Sequence, residues 1–338
     1  AAPTTCAQDQ SAADFAGGSL SGTAITQVAD GEVTLAPGLD VDFSGLSLPA
    51  GWGSYDWPYD SVVGTATVAG GLLTVDGARA NPEPFSTGPG SSLEFVATFS
   101  GDGNQHVGFG GGNHLPSGEV FNTGPWAIFS TLGGGALFAR CFDNVTHFDT
   151  SIPGSWFGSP HRYRIDWGAS AVDFYIDGTL VLSQPVIIPG LMRPAASDLF
   201  GGGGVVTVDW MRMTPYAPSG TFESRIHDAG SPVTWVSMNW NALTPAGTTL
   251  AMSVRTGNTP VPDGTWTSYA AVANSGDAVG GTARYLQYHA AFDATDRTRT
   301  PSLADVSVTC SACAGGPTVI ADLSAVSSLN AGNGRSNA

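Results

Sequence analysis

The stretch HRYRIDWGASAVDFYIDGTLV, residues 161–181, decides how this chain is read. In its first half Tyr163, Ile165 and Trp167 alternate with Arg162, Arg164 and Asp166, and in its second half Val172, Phe174 and Ile176 alternate with Asp173 and Tyr175. Alternation with period two buries one set of side chains and turns the other outward, so both halves read as half-buried strands. The same pattern, bounded by turn residues, predicts strands at 32–35, 72–75, 93–99, 106–109, 126–130, 136–142 and 205–213. After Pro215-Tyr216-Ala217-Pro218 a second set follows at 222–227, 234–240, 249–255, 283–292 and 304–309. No amphipathic helix longer than two turns emerges, and the expected fold class is all-β.

Composition agrees. Glycine (46) and proline (22) make up a fifth of the 338 residues and disfavour helix interiors, while 42% hydrophobic content is enough for a core and excludes a disordered polymer. At roughly 150 residues per domain the length predicts about two domains, and the proline-rich stretch near 215–218 is the best boundary. Two β-sandwiches are expected, at 38–216 and 217–313, followed by a Gly/Ser/Ala-rich tail at 314–338 with one strand-like run at 318–323. Strand addition of that run to a neighbouring subunit is one route to self-association.

The first 37 residues admit two readings. Their SGTAITQVADGEVTLAPG is like SGTFESRIHDAGSPVTW of the second set, so the chain begins in the second sandwich, leaves it to build the first and returns. Cys6 then lies near Cys310 and Cys313, and a bridge closing so long a loop is worth about 4–5 kcal/mol on the loop-entropy model. The other reading is a local Cys310–Cys313 bridge with Cys141 buried and free. The Cys310-Ser311-Ala312-Cys313 spacing lacks the helix N-terminus that activates a redox thiol, which makes a structural disulfide the expectation.

Charge excludes several functions. The chain has 28 acidic and 12 basic residues for a net charge of −16, and every basic residue is an arginine. Without lysine there is no Schiff base, no lysine general base and no phosphate-loop lysine. The acidic balance argues against nucleic acid, and no apolar run approaches the ~20 residues of a membrane-spanning helix, so no membrane insertion is expected. The Ala1-Ala2-Pro3 start, the few cysteines and the missing lysine together predict a secreted, extracellular or cell-surface protein.

The 161–181 block resembles the paired strands of the laminarinase-like (family 16) glycoside hydrolases and their laminin-G/concanavalin-like jelly-roll relatives, written His-x-Tyr-x-Ile-x-Trp, a turn, then Phe-Tyr-Val-Asp-Gly. VDFSGLSLPAGW at 41–52, SSLEFVATF and VVTVDWMRM at 205–213 are similar to further strands of that fold, so the resemblance covers about 38–216. It implies that the first sandwich is a concanavalin-like jelly roll. Those hydrolases carry Glu-x-Asp-x-Glu on a cleft strand, because a retaining mechanism needs two carboxyls about 5–5.5 Å apart. Here the matching stretch is Pro125-Trp126-Ala127-Ile128-Phe129-Ser130, and the motif occurs nowhere in the chain. The resemblance also implies a structural Ca2+ at Asp209, before Trp210 in the closing strand, with Asp42 as a second contributor; calcium accepts backbone carbonyls, so one carboxylate can anchor it. The second sandwich resembles uncharacterised modules of secreted bacterial proteins.

Aromatic residues are the main candidates for a binding surface. Trp52, Tyr55, Trp57 and Tyr59 share a loop rich in Gly, Asp and Pro, and Trp126 and Trp156 extend the set. Aromatic faces stack on sugar rings, and a covering flap that plugs the sandwich is the alternative. His106, His114 and His147 show no metal-ligand spacing and read as surface or turn histidines; a lyase with His106 or His147 as base and Arg140 against a uronate is the enzymatic option. Arg140 and Cys141 are adjacent in a strand and face opposite ways. The leading expectation is a non-enzymatic protein that binds a polysaccharide or cell-surface glycan. A self-assembling filament or sheath subunit and a polysaccharide hydrolase or lyase with a non-family site are the alternatives.

Overall fold

The computed structural model describes residues 3–26, 31–57, 63–83, 86–111, 121 and 124–311. Tyr59, His114, Cys313 and the run expected at 318–323 lie outside the described residues. The fold is all-β, two β-sandwiches with, among the described residues, one short helix, Ala12–Phe15, whose N-terminal Asp14 N–H is capped by the Ser11 hydroxyl.

Strands His161–Trp167 and Val172–Ile176 pair with Tyr163 opposite Ile176, Ile165 opposite Phe174 and Trp167 opposite Val172, and all six side chains are buried. Ile176 is also opposite Thr179 of strand Thr179–Gln184, which leaves Asp177-Gly178 as a two-residue turn. Both turn residues have positive φ, 50° and 79°. A turn of this hand matches the twist of the strands it joins, and glycine enters it without steric cost. The Asp177 carboxylate accepts the Arg162 N–H at 3.0 Å and bonds His161 Nδ1 at 2.8 Å, which fixes the hairpin end.

This hairpin forms one edge of an eight-stranded sheet that continues through Ser91–Thr98, Val206–Met213, Leu72–Asp76 and Thr65–Ala69, with Leu39–Val41 also paired to Val206–Met213. A seven-stranded sheet packs against it in the order His147–Ile152, Leu137–Phe142, Trp126–Ser130, Gln105–Gly110, Arg193–Asp198, Ala78–Pro82 and Trp52–Asp56. The inner faces meet in one apolar core, where Tyr163 stacks on Phe95 at 5.4 Å and touches Phe129 of the opposite sheet at 4.8 Å. This is the jelly roll.

The first and last described strands share the second sandwich. Thr4–Asp9 and Val33–Leu35 pair with Ser302–Cys310, and Ser19–Ser21 pairs with Ser219–Glu223. The jelly roll is therefore inserted between Leu35 and Ser219. Cys6 and Cys310, 304 positions apart, form a disulfide with Cα atoms 5.8 Å apart, and Cys141 is a buried free thiol whose pKa burial pushes up to about 12. The first strand is also held by a polar cluster that the sequence does not announce. Buried Asp9 accepts from the Tyr288 hydroxyl at 2.7 Å and meets His227 Nε2 at 3.2 Å and Arg225 at 2.8 Å.

The strand expected at 222–227 is two strands. Ser219–Glu223 ends where the Ser224 hydroxyl accepts the Tyr288 N–H at 3.0 Å, a side chain standing in for the backbone ladder, and the next strand runs from His227 to Leu243. The two connections between sandwiches run side by side. Ala217 N–H donates to Ala36 O at 2.8 Å, Tyr216 N–H to Arg297 O at 2.9 Å, and Arg297 Nε to Tyr216 O at 2.7 Å.

Candidate functional site

Strand Trp126–Ser130 lies between Gln105–Gly110 and Leu137–Phe142 in the seven-stranded sheet. Ala127 and Phe129 enter the core, so period two turns Trp126, Ile128 and Ser130 to the outer face. Cys141 is likewise in the core, which turns Arg140 outward as the alternation requires.

Register sorts that face into rows. The first runs Trp126, Phe142, His147, with the Trp126 ring 4.6 Å from Phe142 and stacked 5.2 Å from His147. The second runs Ile128, Arg140, Asp149, and Arg140 Nε reaches Asp149 Oδ1 at 2.6 Å. The third crosses all seven strands as Tyr55, Arg79, Ser197, His106, Ser130, Phe138 and Ser151. His106 Nδ1 lies 2.8 Å from Ser130 Oγ, and the Phe121 ring covers the imidazole edge-on at 5.9 Å. Burial first, and then the charge of Arg140, push the His106 pKa down to about 3, so the ring is neutral at neutral pH.

Trp57 closes one side of this face. It is 4% exposed, donates its indole N–H to Ser197 Oγ at 2.9 Å and lies under the Arg79 guanidinium at 3.8 Å. With Phe121, Ile128 and Ala195 it forms a small apolar cluster on which Trp126 packs. The aromatic candidates therefore divide. Tyr55, Trp57 and Trp126 belong to the outer face, with Trp57 filling it as a plug rather than presenting its ring. Trp52 and Trp156 pack against the core between the sheets, Trp52 edge-on to Phe43 at 5.4 Å and Trp156 donating to Ile152 O and Pro153 O.

The outward side chains of Trp126–Ser130 include no carboxylate, and Asp149 is held by Arg140. Among the described residues the outward side chains of this strand bring no pair of carboxyls of the kind a retaining glycosidase uses. The face offers instead an aromatic row beside a row of donors and acceptors.

Asp209 and Asp42 approach each other beside the closing strand. Burial, then the Asp42 charge, raise the Asp209 pKa, and Asp42 Oδ1 accepts the Ser44 N–H at 3.1 Å. Two carboxylates here would supply oxygen ligands of the kind a hard cation takes. Among the described residues no group of three or more His, Cys, Asp or Glu gathers as metal ligands, and no helix is long and apolar enough to cross a membrane.

A further cluster is absent from the sequence reading. On the outer face of the eight-stranded sheet Tyr175, Arg164, Glu94, Arg212 and Asp40 occupy one row across five strands. The row opens into a cleft of about 450 Å³ between the two sandwiches. Its signal was the outward half of the 161–181 alternation, Arg162-x-Arg164-x-Asp166, which reads as an ordinary solvated face until the second sandwich is placed over it.

No family model and no curated protein matches this chain. Among solved structures, a Zobellia galactanivorans protein in complex with laminaritriose and laminaritetraose is 16% identical over 53% of this chain and 98% of its own, with a TM-score of 0.40. An immunostimulatory antigen and pseudo beta-1,3-glucanase of Mycobacterium tuberculosis is 16% identical over 53% and 98%, with a TM-score of 0.39. The Bacillus licheniformis beta-glucanase is 14% identical over 52% and 97%, with a TM-score of 0.38. To these proteins the chain is similar.

Proposed function

We propose that this is a non-catalytic extracellular protein that binds a polysaccharide or cell-surface glycan on the outer face of the seven-stranded sheet. One observation carries the reading: the Trp126, Phe142, His147 row lies directly beside the Arg140–Asp149 pair, on a strand whose outward residues hold no carboxylate. Half-buried Trp126 supplies an aromatic face for the C–H side of a sugar ring, while Arg140 donates to hydroxyl oxygens and Asp149 accepts from hydroxyls. Neutral His106, held by the buried Ser130 hydroxyl, extends the polar part of the same face.

Affinity electrophoresis on a panel of neutral and acidic polysaccharides tests this reading. Wild type is retarded by at least one polysaccharide, and Trp126→Ala weakens the interaction by about tenfold, the size of one lost aromatic stacking contact. No retardation on any polysaccharide overturns the proposal, and release of reducing sugar would make the protein a hydrolase instead.

Asp209 and Asp42 are proposed to anchor a structural Ca2+ with nearby backbone carbonyls. Cation binding to the folded state alone raises its melting temperature. Added calcium should therefore raise the Tm and excess chelator lower it; a Tm unmoved by either counts against the site.

A further inference from the structure

The geometry points to a second saccharide site, independent of the first, in the cleft between the two sandwiches. Its ligand class is a neutral polyhydroxyl compound, a mono- or oligosaccharide. The chain has only 12 arginines, yet Arg162, Arg164, Arg212 and Arg299 all line this one cleft. An acidic protein that gathers a third of its cations in a single cavity has concentrated its strongest hydrogen-bond donors there.

Those donors are charge-balanced. Arg162 Nε reaches Glu94 Oε1 at 2.7 Å, Arg164 Nε lies 3.1 Å from Asp166, Arg212 Nε lies 3.1 Å from Asp40, and Arg299 Nε lies 3.6 Å from Asp296. Glu32 faces the same cleft as a fifth carboxylate. Four guanidinium groups are thus met by five acids, in a chain of net charge −16. Nothing in that balance draws in an anion, and the field of the whole molecule repels one.

The hydrogen-bonding capacity is nevertheless unfilled. In Arg162 and Arg212 the carboxylate accepts the Nε–H hydrogen bond, and Arg164 lays its guanidinium on the Tyr175 ring at 3.8 Å. Their terminal amino groups have no protein acceptor among the described residues. A ligand is therefore asked to bring many oxygen acceptors without net charge, and to offer hydroxyl donors to Glu94 and Asp166. A sugar does both, since each hydroxyl accepts from a guanidinium and donates to a carboxylate.

The cavity size, about 450 Å³, lies within the range of small-molecule sites. At its mouth Leu243 is 66% exposed, an apolar side chain suited to the C–H face of a ring. Walls from both sandwiches are needed. Glu94 and the arginine row come from the jelly roll, Thr34 and Ser302 from the second sandwich, and Tyr216 from the connection between them.

Isothermal titration of the full chain with neutral gluco-, galacto-, manno- and xylo-oligosaccharides tests the inference, with oligogalacturonate as the acidic comparison. At least one neutral oligosaccharide is expected to bind. Its affinity survives in Trp126→Ala, falls about tenfold or more in the Arg162→Gln/Arg164→Gln double variant through loss of charge-assisted bonds, and falls less in Tyr216→Phe. Tyr216→Phe removes one hydroxyl and keeps the ring, so it reads the cleft even if the double variant does not fold. Absence of binding by every neutral oligosaccharide overturns the site, as does binding of oligogalacturonate alone. Affinity lost in Trp126→Ala but unchanged in the cleft variants would assign all binding to the outer face of the seven-stranded sheet. Affinity lost only in the cleft variants upholds the cleft and leaves the outer face to its own electrophoresis test.

Discussion

His106 shows how burial changes what a histidine does. Its sequence neighbours mark it as a surface residue, yet it lies among Ser130, Phe121 and Arg140, where a proton is resisted first by desolvation and then by a guanidinium. The folded state gives up that proton at a pKa of about 3 while the unfolded chain binds it near 6.5, so the unfolded state holds more protons between the two values. Stability linked to His106 is complete above pH 6.5 and is lost as pH falls toward 3. Asp198 acts in the opposite sense. Burial raises its pKa from 3.8 to about 7 despite the Gln105 and Phe200 hydrogen bonds, so its contribution is lost as pH rises through that window. Each slope is at most about 1.4 kcal/mol per pH unit. Imidazole resonances followed by NMR should show His106 neutral at pH 4.5. Asp198→Asn should gain stability on wild type between pH 4 and 7 in denaturant titrations, and parallel curves would refute the assignment.

Most elements are set by short-range rules that the sequence carries. The hairpin at 161–181 needs alternation to choose its buried face and Asp177-Gly178 to turn with the right hand. At Gly178 (φ 79°) an added Cβ would meet nothing within 4 Å, so the penalty of a side chain there is purely conformational. Gly178→Ala should cost about 1 kcal/mol, the usual cost of a left-handed L-residue, measured by urea unfolding with the native circular dichroism spectrum retained. A cost near zero would mean that the hairpin relaxes into another turn. The same rules misplace the 222–227 boundary, because Ser224 interrupts the ladder with its own hydroxyl, a choice that depends on Tyr288 being opposite.

At the scale of the molecule the governing feature is the insertion of one sandwich into the other. The Cys6–Cys310 bridge closes a loop that contains the jelly roll, and Asp9 ties the first strand to Tyr288, His227 and Arg225 beneath it. Cys6→Ser should lower unfolding free energy by about 4–5 kcal/mol on the loop-entropy model, with the loss concentrated in the second sandwich. Denaturant unfolding followed separately by probes in each sandwich checks this, and an equal loss in both would show that the jelly roll relies on the closed loop too. The paired connections at Ala36 and Ala217 hold the two sandwiches around the arginine-lined cleft.

Sequence alone determined the all-β class, most strand positions, the outward turn of Arg140, the lack of a carboxylate pair on Trp126–Ser130 and the exclusions that follow from having no lysine. These are local: each depends on residue type and on a period of two. Only tertiary structure decided that Cys6 meets Cys310, that Trp57 fills a face while Trp52 and Trp156 join the core, and that three arginines of the jelly roll meet Arg299 of the second sandwich in one cleft. Those outcomes depend on which surfaces come together across hundreds of residues, and the driving force there, burial of apolar area, is non-directional and leaves no short pattern in the chain.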